Sequence, residues 1–395
     1  QSLYWLKDAI RTSSPVDQDI IQIKLSRMLQ DPQSKAIKDD LTTGMYTVPV
    51  WMQKWLKNLL TQLNMTPQES RMNPDFLKVI SASEQEDLDL LFNGRQENEP
   101  RLLFKGGTSL SKAYGLISRF SEDIDITVFR EDIGQHIEVE NLEGLSGKRQ
   151  RQLLDEIKEA CQSYIQGALI NRLNTQIQEV FGAAGIPITV PIVIRDQDDP
   201  DQQTLLVRYP TVSAEPNSYI KPTVKIEAGA KSALDPHREV TVKSYLSDDL
   251  PDTDLLVSNV VTIDAERTFW DKVVILHGLR KWHDNRGEVR QQGNRVSRHY
   301  YDLYRLLNSG AGLNAIQDLV LGTDCVRHAL MFFNRPDYEL QSALNGSFAI
   351  TPTAGMVDEL KRDYQAMSGM IFGEVPEFLE VLTSIEKLEM QLNAK

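Results

Sequence analysis

The sequence predicts an α+β protein, a mixed sheet with helices, flanked by an N-terminal helical region and a C-terminal helical domain. Three observations carry that prediction. Arg101 to Arg130 reads as strand, glycine turn, short helix and second strand. After residue 184 come short β-branched runs broken by Pro, Gly and Asp-rich turns. On both sides of this middle portion, apolar residues recur at three- and four-residue spacing.

From the N-terminus, Ile21, Lys24, Leu25 and Met28 follow a helical period, and Trp51, Trp55, Leu59 and Leu63 form one apolar stripe. These stripes are expected to pack as core; a docking face for a partner is the alternative. FNGRQENEP, 92 to 100, reads as a polar linker, so a boundary is expected there, with a helical region over 1–94 and an α/β core over 95–250. Within that core, 134–148 reads as loop and about 148–184 as a helical insertion. GIPITVPIVI, QQTLLVRYP, SYIKPTVKIEAGA and REVTVKSYL then supply strands. Helical periodicity returns in IDAERTFWDKVVILHGLRKW, RHYYDLYRLLN and VPEFLEVLTSIEKLEMQLNA, giving a helical domain over 251–395.

Composition narrows the class. A chain of 395 residues with 41% hydrophobic and 25% charged residues is that of an ordinary globular protein with a sizeable core. The net charge of −13 argues against a broad nucleic-acid-coating surface and leaves room for a local basic groove. Cys161 and Cys325 stand far apart and in no ligand-like spacing, which points to a reducing compartment. The N-terminus lacks the basic-then-apolar pattern of a secretory signal and no apolar run is long enough to span a bilayer; a cytoplasmic location and no membrane partner are expected.

The chemistry concentrates at residues 101–130. A strand repeats every two residues, so Asp123 and Asp125 emerge on one face, roughly 7 Å apart at their Cα atoms, while Ile124 and Ile126 point into a core. Two carboxylates aimed at one place repel unless a cation lies between them, which suggests a hard-metal site. Beside it, the Gly106-Gly107-Thr108-Ser109 turn offers N–H groups to phosphate. Alone, that turn reads first as a tight βα connection, and most isolated Asp-x-Asp pairs are solvated strand-edge residues. Together they fit metal-assisted phosphoryl or nucleotidyl transfer. Neither a P-loop nor a dinucleotide-binding fingerprint is present, and no nucleophile elbow appears.

GGTSLSKAYGLISRFSEDIDI resembles the AbiEii/AbiGii toxin family of nucleotidyltransferases, within the DNA polymerase β-like superfamily. The resemblance is firm over about 101–130 and returns at 264–307. It implies a polymerase β-like mixed sheet and a metal-dependent, NTP-consuming, pyrophosphate-releasing transferase using Mg2+ or Mn2+. It also implies a toxin of a type IV toxin–antitoxin or phage-defence pair with an AbiEi-like antitoxin, and tRNA as an acceptor. Transfer to a protein, or an inactive nucleotide-binding protein acting by interaction, are the alternatives.

The superfamily needs a third carboxylate from a later strand. Alternation in TVKIEAGA turns Val224 and Ile226 inward and Lys225 and Glu227 to the other face, making Glu227 the candidate metal ligand beside Asp123 and Asp125; a surface Glu227–Lys225 pair is the alternative. Asp235, in a Pro-containing turn, is less suitable.

In IDAERTFWDKVVILH, Lys272 falls on the stripe that should face inward, with Ala265, Phe269 and Leu276. A buried ammonium needs an anionic partner; snorkelling to solvent is the alternative. Resemblance gives Lys272, and with it Glu266, contact with nucleotide phosphates. It makes Asp302, in RHYYDLYRLL, either a catalytic residue or the group that positions Lys272; Asp302 could instead pair with Arg298 or Arg305 on the helix surface. The nucleotide site would then comprise Lys105, Gly106, Gly107, Thr108, Ser109, Lys112 and Lys272. His277, His283 and His299 show no metal spacing and are expected to be structural or groove-lining. The basic segment 277–299, with Arg280, Lys281, Arg286, Arg290, Arg295 and Arg298, is placed to meet triphosphate or RNA backbone; a solvated charged face is the alternative.

Overall fold

A computed structural model of the chain describes residues 85, 87–121, 123–183, 191–208, 223–244, 256–290 and 295–394. The helices expected before residue 85 lie outside the described residues.

Strand β1 (Leu102–Lys105) leads directly into helix α1 (Gly106–Lys112), and β2 (Asp123–Val128) returns antiparallel to β1. The glycine turn expected at Gly106–Ser109 is the first turn of α1 itself. Gly106 makes this possible: its φ of +80° is a left-handed conformation that side chains resist, and it lets the chain leave the strand and coil at once. Across 134–148, read as loop, the chain forms helix α2 (Val139–Glu143), whose N-terminus is closed by a capping box between Glu138 and Asn141. The helical insertion is α3 (Gly147–Tyr164) and α4 (Ile170–Ala183), joined through a π-turn over Ile165–Leu169.

Strands β3 (Val193–Arg195), β4 (Thr204–Arg208), β5 (Thr223–Glu227), β6 (His237–Lys243) and β7 (Leu256–Ile263) complete a mixed sheet in the order β3-β4-β5-β2-β1-β7-β6. β2 runs parallel to β5, and β1 parallel to β7. β7 lies beyond the boundary drawn at residue 250, so the sheet takes chain from both sides of that line. One sheet face packs on the insertion: Leu102, Phe104, Ile124, Ile126, Val224 and Ile226 share a core with Ile157, Cys161, Leu169 and Leu173. On the opposite face Leu103 joins Phe129 and Ile263 in a small buried cluster, and Lys105, Asp123, Asp125 and Glu227 make the neighbouring part of that face polar.

The remaining helices are α5 (Ala265–Arg286), α6 (Ser297–Leu307), α7 (Gly310–Gln317), α8 (Leu319–Phe332), α9 (Leu340–Leu344), α10 (Ala354–Ser368) and α11 (Phe378–Asn393). They bury a second core around Phe269, Trp270, Tyr300, Tyr301, Leu303 and Ile385, which also takes Leu110 of α1 and Ile117. An extended segment stitches the two parts together: Arg119 bridges Ile371, the Phe120 N–H donates to Met370 O at 2.7 Å, and the Phe372 N–H donates to Ser118 O at 2.6 Å.

Candidate active site

The polar face of the sheet is built by register. Asp125 stands opposite Lys105 on one side and Glu227 on the other, while Asp123 stands opposite Lys225. Thus Asp123, Asp125 and Glu227, the last more than a hundred residues away in sequence, share one face across two neighbouring strands. Ile124, Val224 and Ile226 are buried beneath them. Burial raises the Asp125 pKa; Lys105 opposes the rise and Glu227, a like charge across the strand, adds to it.

α1 is locked to this face. Thr108 donates its hydroxyl to the backbone carbonyl of Asp123, and Ser109 Oγ donates to Gly106 O at 2.9 Å. A Cβ on Gly106 would lie 2.1 Å from Asp125 Oδ2, so only glycine lets the backbone pass the carboxylate. A Cβ on Gly107 would lie 2.3 Å from Arg119 Nη2. Lys112 is buried in the last turn of α1, about 9 Å along the helix axis from Gly106.

Lys272 and Asp302 meet directly. Lys272 is buried on α5, and its Nζ lies 2.8 Å from Asp302 Oδ2 on α6, whose side chain is 0% exposed. The buried lysine has the anionic partner that its position demanded and does not snorkel. The surface pairings considered for Asp302 do not form: Arg119 holds it instead, with Nε 2.7 Å from Oδ1 and Nη2 2.8 Å from Oδ2. Burial would raise the Asp302 pKa, but the charges and hydrogen bonds of Arg119 and Lys272 hold it well below the usual carboxylate range. Burial lowers the Lys272 pKa, with Asp302 opposing and Arg119 assisting. Beside them, burial, Lys272 and Arg298 keep the His299 imidazole neutral to well below its ordinary pKa.

Other expected contributors lie elsewhere. Glu266, in the first turn of α5, sits 3.8 Å from Arg238 of β6. Asp235 is exposed and pairs with His237. His277 accepts the Ala349 N–H at 3.0 Å, and His283 contacts Thr353, both inside the helical part. Most of the basic segment is matched internally: Arg280 by Asp284, Lys281 by Glu339 and Arg286 by Asp337, while Arg290 donates to the Tyr338 hydroxyl. Arg295 is the member that reaches the diacid, 3.6 Å from Asp123 Oδ2, and its backbone N–H is held by Asp363 at 2.8 Å. Arg119, to which the sequence assigned no role, opens the Arg119-to-Asp125 run that is especially characteristic of the family resemblance, and its neighbours Ile117 and Phe120 are buried.

A hard divalent ion fits the chemistry of the donors. Carboxylate oxygens are what Mg2+ and Mn2+ prefer, and a buried Asp125 facing Glu227 is stabilised by a cation. The chain's own cations lie there instead: Lys225 Nζ is 2.6 Å from Glu227, and Arg295 is beside Asp123. The surface Glu227–Lys225 pair therefore forms as well as the register contact with Asp125. Among the described residues, no three His, Cys, Asp or Glu side chains lie close enough as they stand to bind one ion together.

The family model for the nucleotidyl transferase AbiEii toxin of type IV toxin–antitoxin systems matches residues 89–386. MenT4, a nucleotidyltransferase toxin from Mycobacterium tuberculosis H37Rv, is similar in structure at a TM-score of 0.37 and 14% identity, covering 81% of this chain and 93% of that one. No curated protein matches significantly.

Proposed function

This chain belongs to the AbiEii nucleotidyltransferase toxin family of type IV toxin–antitoxin systems, and we propose that it transfers a nucleotide from an NTP to tRNA in a divalent-metal-dependent reaction. The observation that carries the proposal is the register of β1, β2 and β5, which sets Asp123, Asp125 and Glu227 on one face beside the first turn of α1.

Asp123, Asp125 and Glu227 would hold Mg2+ or Mn2+, with Lys225 and Arg295 giving up their carboxylates as it binds. A divalent ion held there would supply Lewis-acid stabilisation of the charge developing on the phosphates. The first turn of α1 brings the backbone N–H groups of Gly106 to Ser109 towards the β- and γ-phosphates, assisted by Lys105 and Lys112. Lys272, oriented by Asp302, neutralises developing charge on the same phosphates. Arg295 stands beside Asp123 and the charge of Arg298 acts on Asp125, and an acceptor backbone would be met by these two cations. Growth inhibition by such transfer, relieved by an AbiEi-like antitoxin and serving phage defence, is the biological role that family membership supports.

A second reading is transfer to a protein hydroxyl. The internal pairing of Arg280, Lys281 and Arg286, in a chain of net charge −13, takes those three cations of the basic segment away from RNA and favours that acceptor. Incubation with labelled NTPs, Mg2+ and total cellular RNA and protein separates them. A nuclease-sensitive labelled product of tRNA size is expected; a protease-sensitive product selects the second reading, and no labelled product rejects both.

A further inference from the structure

We infer that Arg119 is a positioning residue for nucleotide binding: by dividing the charge of Asp302 with Lys272, it keeps the Lys272 ammonium available to the triphosphate. The inference rests on the reading of Lys272 as a phosphate contact. It assigns a role to a side chain that, on that reading, acts on the substrate through Asp302 and Lys272.

The geometry is specific. One carboxylate, Asp302, takes the Arg119 fork on both oxygens, and its Oδ2 is shared between Arg119 Nη2 at 2.8 Å and Lys272 Nζ at 2.8 Å. The three side chains are 6% exposed or less at Arg119 and Asp302 and 7% exposed at Lys272, so water screens little of their interaction. A lysine facing a carboxylate alone would form a closed pair, its charge cancelled at short range. Arginine is the cation suited to the second seat, because its planar fork fits a carboxylate and stays charged when buried. Arg298, one turn before Asp302 on α6, and the neutral His299 complete the surroundings.

Arg119 is also placed with unusual firmness. Its backbone bridges Ile371, and the flanking hydrogen bonds from Phe120 to Met370 and from Phe372 to Ser118 fix the segment to the helical part. The same guanidinium lies so close to Gly107 that a Cβ there would come within 2.3 Å of Nη2. One side chain therefore touches the phosphate-facing turn of α1 and, through Asp302, sets Lys272 on α5.

Calorimetric titration of the full chain with ATP, CTP, GTP and UTP in Mg2+, with thermal melting as a control, tests this. For the tightest-binding nucleotide, Arg119→Met is expected to weaken affinity about tenfold or more. The double variant Arg119→Met/Asp302→Asn is expected to recover affinity, because the new amide keeps an acceptor for Lys272 and removes the charge that closes on it. A role confined to folding predicts a double variant no better than the single one, and that result overturns the inference. Unchanged affinity in Arg119→Met does so too. Arg119→Lys, which keeps a cation on Asp302, is expected to stay within about threefold of wild type; a tenfold loss in a normally melting Arg119→Lys protein overturns the charge-sharing argument even where Arg119→Met fails to fold. Lys272→Met separates the two levels. Wild-type affinity in Lys272→Met rejects the phosphate reading itself, whereas weakened Lys272→Met with unaffected Arg119→Met rejects this inference alone. Binding of none of the four nucleotides to the wild-type chain rejects both.

Discussion

At the scale of single residues, charge and space set what each position tolerates. Asp123→Ala and Asp125→Ala are each expected to lower transfer about a hundredfold to a thousandfold, with Glu227→Ala acting in the same direction, because each removes a carboxylate from the face proposed to meet the reacting phosphate. Melting temperature should not fall in Asp125→Ala, since burial and Glu227 already disfavour that charge. Full turnover in either aspartate variant, measured by release of pyrophosphate, would discard the assignment of the pair to a metal ion. Gly106→Ala should lose activity and about 1–2 kcal/mol of stability by denaturant titration: the new Cβ meets a φ of +80° and the Asp125 carboxylate together. Asp302 gives a pH prediction. Its pKa is depressed in the folded state, so the stability it contributes is present above the ordinary carboxylate pKa and is lost as pH falls towards the folded value. Asp302→Ala should cost about 3–5 kcal/mol at neutral pH, leaving two buried cations short of their anion, and should flatten the acid limb of the stability profile.

At the scale of elements, α5 shows how a helix is held to its task. Ala265, Phe269, Lys272 and Leu276 fall on one buried stripe, and the packing around Trp270 fixes the rotation of that stripe. The Trp270 indole N–H donates to Ala315 O at 2.9 Å, and its ring lies against Gly322 of α8, where a Cβ would approach to 2.7 Å. Gly322→Ala is therefore expected to destabilise the chain by about 1–3 kcal/mol through overpacking, seen in thermal unfolding, with turnover at low temperature little changed. A large loss of turnover in the folded variant would show that α5 moves in response, carrying Lys272 with it. The helical period identified Lys272 as anomalous, since a cation on a core stripe must find an anion. It did not say which of the chain's carboxylates answers, because a period describes one helix and the answer comes from another. β5 is a similar case: alternation placed Glu227 on the polar face, and only the pairing with β2 placed it opposite Asp125.

At the scale of the whole molecule, the sheet is the frame that brings distant chain together. Chelation by EDTA should abolish transfer, and Mg2+ or Mn2+ should restore it; NTP with the ion should raise the melting temperature more than either alone, since ligand binding to the folded state stabilises it by mass action. Transfer that persists in EDTA would detach the three carboxylates from metal binding. Long sequence separation also explains why the basic segment read differently in the folded chain. Lys281 and Arg286 looked available beside the site, but Glu339 and Asp337 reach them from a distant part of the chain, while Arg280 pairs one turn away with Asp284. Local pattern was enough for the strand–helix–strand unit, the shared face of Asp123 and Asp125, the helical insertion and the helical C-terminal part, because these follow from periods of two and 3.6 residues and from glycine's freedom at a turn. It took the folded chain to show that Asp125 lies between Lys105 and Glu227, that β7 joins the sheet beside β1, and that Arg119 and Lys272 share Asp302. Those are pairings between segments up to 183 residues apart, and no local pattern encodes which buried cation will meet which buried anion.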